Sequence, residues 1–134
     1  MVNNKVVIRE IFTMKTIAVV GMSPKPERPS HYVSLYMSQN GYDIIPVNPG
    51  HNSIMGKTSY SSLLDIKENV DIVNVFRRSE YVLPIINDAA AIKAKAVWLQ
   101  DGVISEEGEK IAQENEMLFI MNDCLLRRHR QYSG

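Results

Sequence analysis

The sequence predicts an α/β fold, a parallel sheet with helices on both faces, built as a single domain. Three observations carry this. Short apolar, β-branched runs recur along the chain, at Thr16–Val20, Asp43–Val47, Asp71–Val75, Ala96–Leu99 and Met117–Ile120. Segments of helical period lie between them. The links are short, and strand–helix–strand units joined this way make right-handed crossovers and parallel pairing. The chain has 134 residues, enough for one domain with its own core.

The elements follow in order. Residues 4–14 predict a helix capped by Asn3 or Asn4, with Val6, Val7, Ile8, Ile11 and Phe12 on its apolar side. This divides the chain into an N-terminal helical segment, 1–15, and the main domain, 16–134. Strand Thr16–Val20 ends at Gly21, a polar proline-rich loop follows, and Ser30 opens a helix. That helix carries Val33, Tyr36, Met37 and Asn40 at i, i+3, i+4 and i+7. Asn40 alternatively ends the helix, and Gly41 closes it. A weak extra strand is expected near Ile54, and one short turn at Ser61–Asp65. Ser79 or Glu80 begins a helix with Val82, Ile85, Ile86, Ala89 and Ala90 inward. Ser105, Glu106 and Glu107 begin another, with Ile111 inward.

Fifteen basic residues balance fifteen acidic ones. A balanced chain lacks the basic excess of nucleic-acid or membrane-surface binders. The basic run Arg127-Arg128-His129-Arg130 reads as a solvated tail. Cys124 is the only cysteine, so no internal disulfide forms, which suits a reducing compartment. The N-terminal residues lack a signal-peptide core, and no apolar run approaches the roughly 18 residues of a membrane span. The expected location is the cytoplasm.

Ligands of such sheets bind outside the carboxyl ends of the strands, near the switch in strand order. The loops to inspect are 21–31, 46–51, 76–82 and 100–104. In the first, a helix N-terminus offers free N–H groups and partial positive charge, a setting for phosphate. Gly21 permits close approach, and Ser23, Ser30, Lys25 and Arg28 add donors. His31, at the helix start, is either a phosphate contact or a surface residue. The loop matches neither G-x-G-x-x-G nor the Walker pattern. The second strand ends Pro46-Val47-Asn48-Pro49-Gly50, without the acid that holds ribose hydroxyls in NAD sites. A ligand with a phosphate on its ribose is then not repelled.

Arg77 and Arg78 stand at the third strand end, where a guanidinium can grip phosphate. Phe76 is either packing or the flank of an adenine. Gln100 is either the partner of a ligand amide or a surface residue, and Gly102 allows a turn or close approach. Trp98 belongs to the core. His51 is a loop residue. No His-x-x-x-His or Cys-x-x-Cys spacing points to a metal. Asp123 beside Cys124 works against an activated thiol, so the cysteine is expected to be buried and inert.

The segments Val20-Gly21-Met22-Ser23…Arg28-Pro29-Ser30, Gly41-Tyr42…Pro46-Val47-Asn48-Pro49, Asp71–Arg78 and Trp98-Leu99-Gln100-Asp101-Gly102-Val103 resemble the small bacterial and archaeal CoA-binding-domain proteins. The resemblance runs from about Ile17 to about His129. That family looks like a stand-alone CoA-binding domain of the succinyl-CoA synthetase α subunit, a three-layer, doubly wound Rossmann-like fold. The resemblance implies that Gly21, Ser23, Ser30 and Arg28 line the CoA pyrophosphate. It implies that Asn48 and Pro49 bound the adenosine pocket. Phe76 and Arg77 then lie beside the nucleotide, with Gln100 and Gly102 nearer the pantetheine end. Lys25, Lys57 or Arg78 is implied to meet the 3′-phosphate. The synthetase's phosphorylated histidine and its nucleotide-grasp partner lie outside this chain, so ligase activity is not implied. The resulting expectation is a CoA or acyl-CoA binding protein without a complete catalytic site, monomeric or homodimeric. The competing readings are an NAD(P)- or other nucleotide-binding protein and a protein-interaction module with a vestigial nucleotide site.

Overall fold

The computed structural model describes residues 3–133, so Met1, Val2 and Gly134, which the boundaries above include, lie outside the described residues. A five-stranded sheet forms the middle layer: β1 (Thr16–Val20), β2 (Asp43–Val47), β5 (Ile72–Val75), β6 (Ala96–Leu99) and β7 (Leu118–Ile120). Every pairing is parallel, in the order β2-β1-β5-β6-β7. The chain therefore leaves β1 toward one edge and later returns to the other side of β1. That reversal places the switch in strand order at β1 and β5. β3 (Ser53–Ile54) and β4 (Lys57–Thr58) form a separate antiparallel hairpin. Met55 and Gly56 both have positive φ, the geometry of a hairpin turn that matches strand twist. The extra strand near Ile54 thus pairs only locally.

Strand alternation splits the core in two. Ala18, Val20, Val73, Val75, Val97 and Leu99 face one side, which is covered by α3 (Val82–Ala91), α4 (Glu106–Glu114) and a 3-10 turn at Leu63–Asp65. Ile17, Val19, Ile72, Ala96 and Trp98 face the other, which is covered by α1 (Lys5–Phe12), α2 (Pro29–Gln39) and α5 (Leu125–Ser133). The strands carry apolar residues on both faces because both faces are buried.

The helix boundaries follow local chemistry. The Asn4 side chain caps α1 by accepting from the Val6 amide at 2.7 Å. Val6 is 71% exposed, however, and only Ile8 and Ile11 of that helix are fully buried. Pro29 opens α2, and Asn40 is its C-cap, followed by Gly41 at φ +94°. Ser79 does not begin a long helix. It starts a 3-10 turn, Ser79–Tyr81, and its hydroxyl accepts from the Ile104 amide at 2.9 Å. Ser105 caps α4 through the Gly108 amide.

The C-terminal basic run is not a solvated tail. It forms α5, packed on α1 and α2. Its His129 is buried, with Nδ1 2.8 Å from the Tyr36 hydroxyl and the rings of Phe12, Tyr36 and Tyr42 edge-on around it. Arg127 and Arg128 turn back onto the buried Asp123. The helical spacing of one histidine and one leucine seats α5 on the sheet, and the charges beside them are neutralised locally. No helix among the described residues is long and apolar enough to cross a membrane.

Candidate functional site

The carboxyl ends of β1, β2, β5 and β6 meet at the strand-order switch, and two clefts open there on opposite faces of the sheet. The first, about 430 Å³, is lined by Val20, Gly21, Asn48, Pro49, Arg77 and Asp88, among others. The second, about 400 Å³, is lined by Tyr32, Phe76, Arg77, Gln100, Gly102 and Cys124, among others. Arg77 belongs to both. Phe76 and Arg77 follow β5, so alternation sends the phenyl ring to one face and the guanidinium across the sheet's end.

Gly21 forms the saddle between the clefts. Its N–H donates to the Val47 carbonyl at 2.9 Å, and the Phe76 N–H donates to the Val20 carbonyl at 2.9 Å. The loop is thereby drawn against the β5 end. A Cβ on Gly21 would lie 2.8 Å from the Phe76 oxygen and 3.0 Å from Arg77 Cδ.

The rest of the first loop is fastened from within. The Ser30 hydroxyl oxygen accepts from the Ser23 amide at 2.9 Å, and the Ser23 hydroxyl oxygen accepts from the Lys25 amide at 3.1 Å. His31 Nδ1 lies 3.0 Å from the Ser23 carbonyl oxygen. A carbonyl only accepts, so Nδ1 carries the proton and donates. His31 is buried, not a surface residue, and this bond holds the loop to α2. Both serines keep a hydroxyl proton to donate. Lys25 and Arg28 are exposed on the loop, and neither they nor Ser23, Ser30 and His31 line either cleft.

The side chain of Asn48 joins the first two loops. Its Nδ2 donates to the Met22 carbonyl and its Oδ1 accepts from the Gly50 amide, each at 2.9 Å. Arg77 is exposed and stacks over Tyr81, with the guanidinium 5.0 Å from the ring centroid. Gln100 is only 4% exposed, which removes the surface reading. Its Oε1 accepts from the Leu125 amide at 3.2 Å. Asp101 makes a two-pronged pair with Arg127 at 2.9 and 3.0 Å. The Arg127 hydrogen bond, against some burial, holds the Asp101 carboxyl below its ordinary range. Its negative charge in the second cleft is therefore matched, and Arg77 and Arg78 leave a net attraction for anions.

Two expectations are corrected. Lys57 lies with Thr16 and Asp43 at the amino ends of the strands, away from both clefts. Cys124 is half-buried and lines the second cleft, so it is not sealed in the core. Sequence reasoning also missed Asp88, Ser61, Ser62 and Tyr32 as lining residues. Asp88 and Tyr32 sit on helices, where nothing local marks them. Cys124 carried a usable signal, because it follows a strand's carboxyl end just as the four inspected loops do. Among the described residues no cluster of His, Cys, Asp or Glu has the arrangement of a metal site.

Comparison with known proteins accords with this geometry. Residues 15–130 match the model of the CoA binding domain family. Uncharacterized protein YneT of Bacillus subtilis is 41% identical over 127 residues, which is 94% of each chain. A hypothetical protein from Pyrococcus horikoshii superimposes with a TM-score of 0.94 at 36% identity, covering 98% of this chain and 94% of that one. Acetate–CoA ligase [ADP-forming] II of Archaeoglobus fulgidus is 32% identical over 108 residues, 79% of this chain but only 16% of the ligase. Matched over most of its length by the family model, and folded as that likeness requires, the chain belongs to the CoA binding domain family.

Proposed function

We propose that this protein binds coenzyme A or an acyl-CoA, and that it does so without a complete catalytic site of its own. One observation carries the reading: two clefts on opposite faces of the sheet meet at Arg77 over the Gly21 saddle. A nucleotide with a long flexible arm suits that shape. The adenosine occupies the first cleft, beside Asn48 and Pro49. The pyrophosphate crosses the saddle at Arg77, with Ser23 and Ser30 holding the adjoining loop in shape. The pantetheine arm descends into the second cleft past Phe76, Gln100 and Gly102. Lys25 and Arg28, exposed on the adjoining loop, supply longer-range attraction, with His31 keeping that loop in place.

The second strand's end supports a phosphorylated ribose over NAD, since the Asn48 amide is committed to Met22 and Gly50 and the strand end carries no carboxylate, Asp88 of α3 being the acidic residue that lines the cleft. In this reading the protein acts in the cytoplasm as a carrier, sensor or regulatory module. The chain spans 16% of the ligase it matches, and that ligase's activity is not carried over to it.

Thermal shift with CoA, acetyl-CoA, dephospho-CoA, NAD and NADP tests it. At one hundred times the dissociation constant, a ligand of the folded state adds about 2.7 kcal/mol, a rise of roughly 10 °C for a domain of this size. CoA is expected to raise the midpoint and NAD is not. Arg77→Ala removes a charge-assisted contact and should weaken CoA binding about 10- to 100-fold. A midpoint unmoved by millimolar CoA would overturn the proposal.

A further inference from the structure

Cys124 is a thiol at the wall of a formed cleft, and its surroundings point inward to a ligand. It immediately precedes α5 and lines the second cleft with Phe76, Arg78, Gln100 and Gly102. The next residue is tied to that wall, because the Leu125 amide donates to Gln100 Oε1 at 3.2 Å. Gln100 is 4% exposed, and its amide nitrogen, which has no hydrogen-bond partner among the described residues and is not one of the fully buried unpaired atoms, opens onto the cleft that Gln100 lines. Gln100 lines the cleft, so a ligand there can supply the missing acceptor.

The electrostatics admit an anionic molecule. Asp123, adjacent to Cys124, is held by Arg127 and Arg128 and accepts from the Asn3 amide at 2.9 Å. Asp101 is paired with Arg127. Neither carboxylate faces the thiol uncompensated, while Arg77 and Arg78 stand at the cleft with positive charge.

We propose that Cys124 is a modification site: seated in the second cleft, it exchanges with the disulfide form of the pantetheine-bearing nucleotide and carries that nucleotide as a mixed disulfide. This rests on the CoA reading, which brings the pantetheine thiol to the same cleft. The step balances without a further oxidant. The Cys124 thiolate attacks one sulfur of the small disulfide, a new S–S bond forms to Sγ, and the old one breaks. The departing CoA thiolate takes up a proton, Cys124 having given one to solvent. The cysteine is oxidised and the small disulfide is reduced. A second thiol reverses the step, so bound nucleotide would report the thiol–disulfide balance of its surroundings.

The test is intact mass under non-reducing conditions after incubation with CoA disulfide or, separately, glutathione disulfide. The wild-type chain should gain one CoA moiety, lost on adding dithiothreitol, and Cys124→Ser should gain none. Because the chain has a single cysteine, the mass identifies the site. Binding-directed exchange should run at least about 10-fold faster with CoA disulfide than with glutathione disulfide at equal concentration. Equal rates, or no adduct, would overturn the inference. Thermal shift of Cys124→Ser with reduced CoA separates the two readings. A shift there without directed exchange in the wild type defeats the disulfide and leaves CoA binding standing. No shift together with equal rates defeats both.

Discussion

Replacing Gly21 with alanine perturbs the point where the first loop, the β2 end and the β5 end are tied together. Gly21 has φ +84°, and an L side chain in that region costs about 1–2 kcal/mol. The added Cβ would also meet the Phe76 oxygen at 2.8 Å and Arg77 Cδ at 3.0 Å. The arginine can swing away, but the Phe76 backbone is anchored by its 2.9 Å bond to Val20. Overpacking of this kind costs about 1–3 kcal/mol. Alanine recovers about 0.4–1 kcal/mol by restricting the unfolded chain. The net expectation is a loss of about 2–4 kcal/mol. Urea unfolding followed by the fluorescence of Trp98, the chain's only tryptophan and fully buried, measures it. The midpoint should fall with little change in slope. Gly102→Ala is the matched comparison: its φ is +83° but nothing lies within 4 Å of an added Cβ. It should lose only about 1 kcal/mol, the conformational part. Equal losses at the two positions would refute the steric argument, and a Gly21→Ala loss under about 1 kcal/mol would refute the whole of it.

Three further outcomes can be measured on the same protein. Asn74, 1% exposed in β5 between Val19 and Trp98, has neither Oδ1 nor Nδ2 bonded among the described residues. Asn74→Val should leave stability unchanged or raise it by about 1 kcal/mol, and a loss above that in urea unfolding would mean the amide is satisfied. Burial lowers the His129 pKa below its ordinary 6.5, so the folded state favours the neutral ring. Stability is then full above about pH 6.5 and falls as pH drops below it toward the lowered folded value. Urea midpoints from pH 7.5 to 5 should show this fall, and His129→Phe should flatten it. Burial pushes the Asp71 carboxyl up, but the Thr16 and Lys15 amides and Lys95 together bring it below its ordinary 3.8. Its contribution is present above that value and lost as pH falls through the lower folded one. Asp71→Ala should cost about 1–2 kcal/mol at pH 7, and a cost no smaller at pH 2 would contradict the assignment.

Strands were legible because burial on both faces makes short runs of Ile, Val and Ala, bounded by turn residues and too short for a helix. The loops at their carboxyl ends were legible for the same reason, since strand ends followed by Gly21 and Gly102 punctuate the chain. The errors fell where a residue's partner is remote in sequence. The run Arg127-Arg128-His129-Arg130 looks solvated by composition. It is structured because Asp101 and Asp123 neutralise its arginines and Tyr36 and Phe12 receive its histidine. Gln100, open in the sequence to a ligand role or a surface one, is buried, with its Oε1 accepting from the Leu125 amide 25 residues away.

The sequence by itself determined the α/β class, the strands and the family, all of which reside in local patterns of a few residues. Only the tertiary structure decided that two clefts share Arg77, that Lys57 stands at the opposite end of the sheet, and that Cys124 lines the second cleft. Those depend on strand order and on which face each side chain takes, and parallel crossovers bring together residues as distant as Gly21, Arg77 and Cys124. Contact across that separation leaves no periodicity to read.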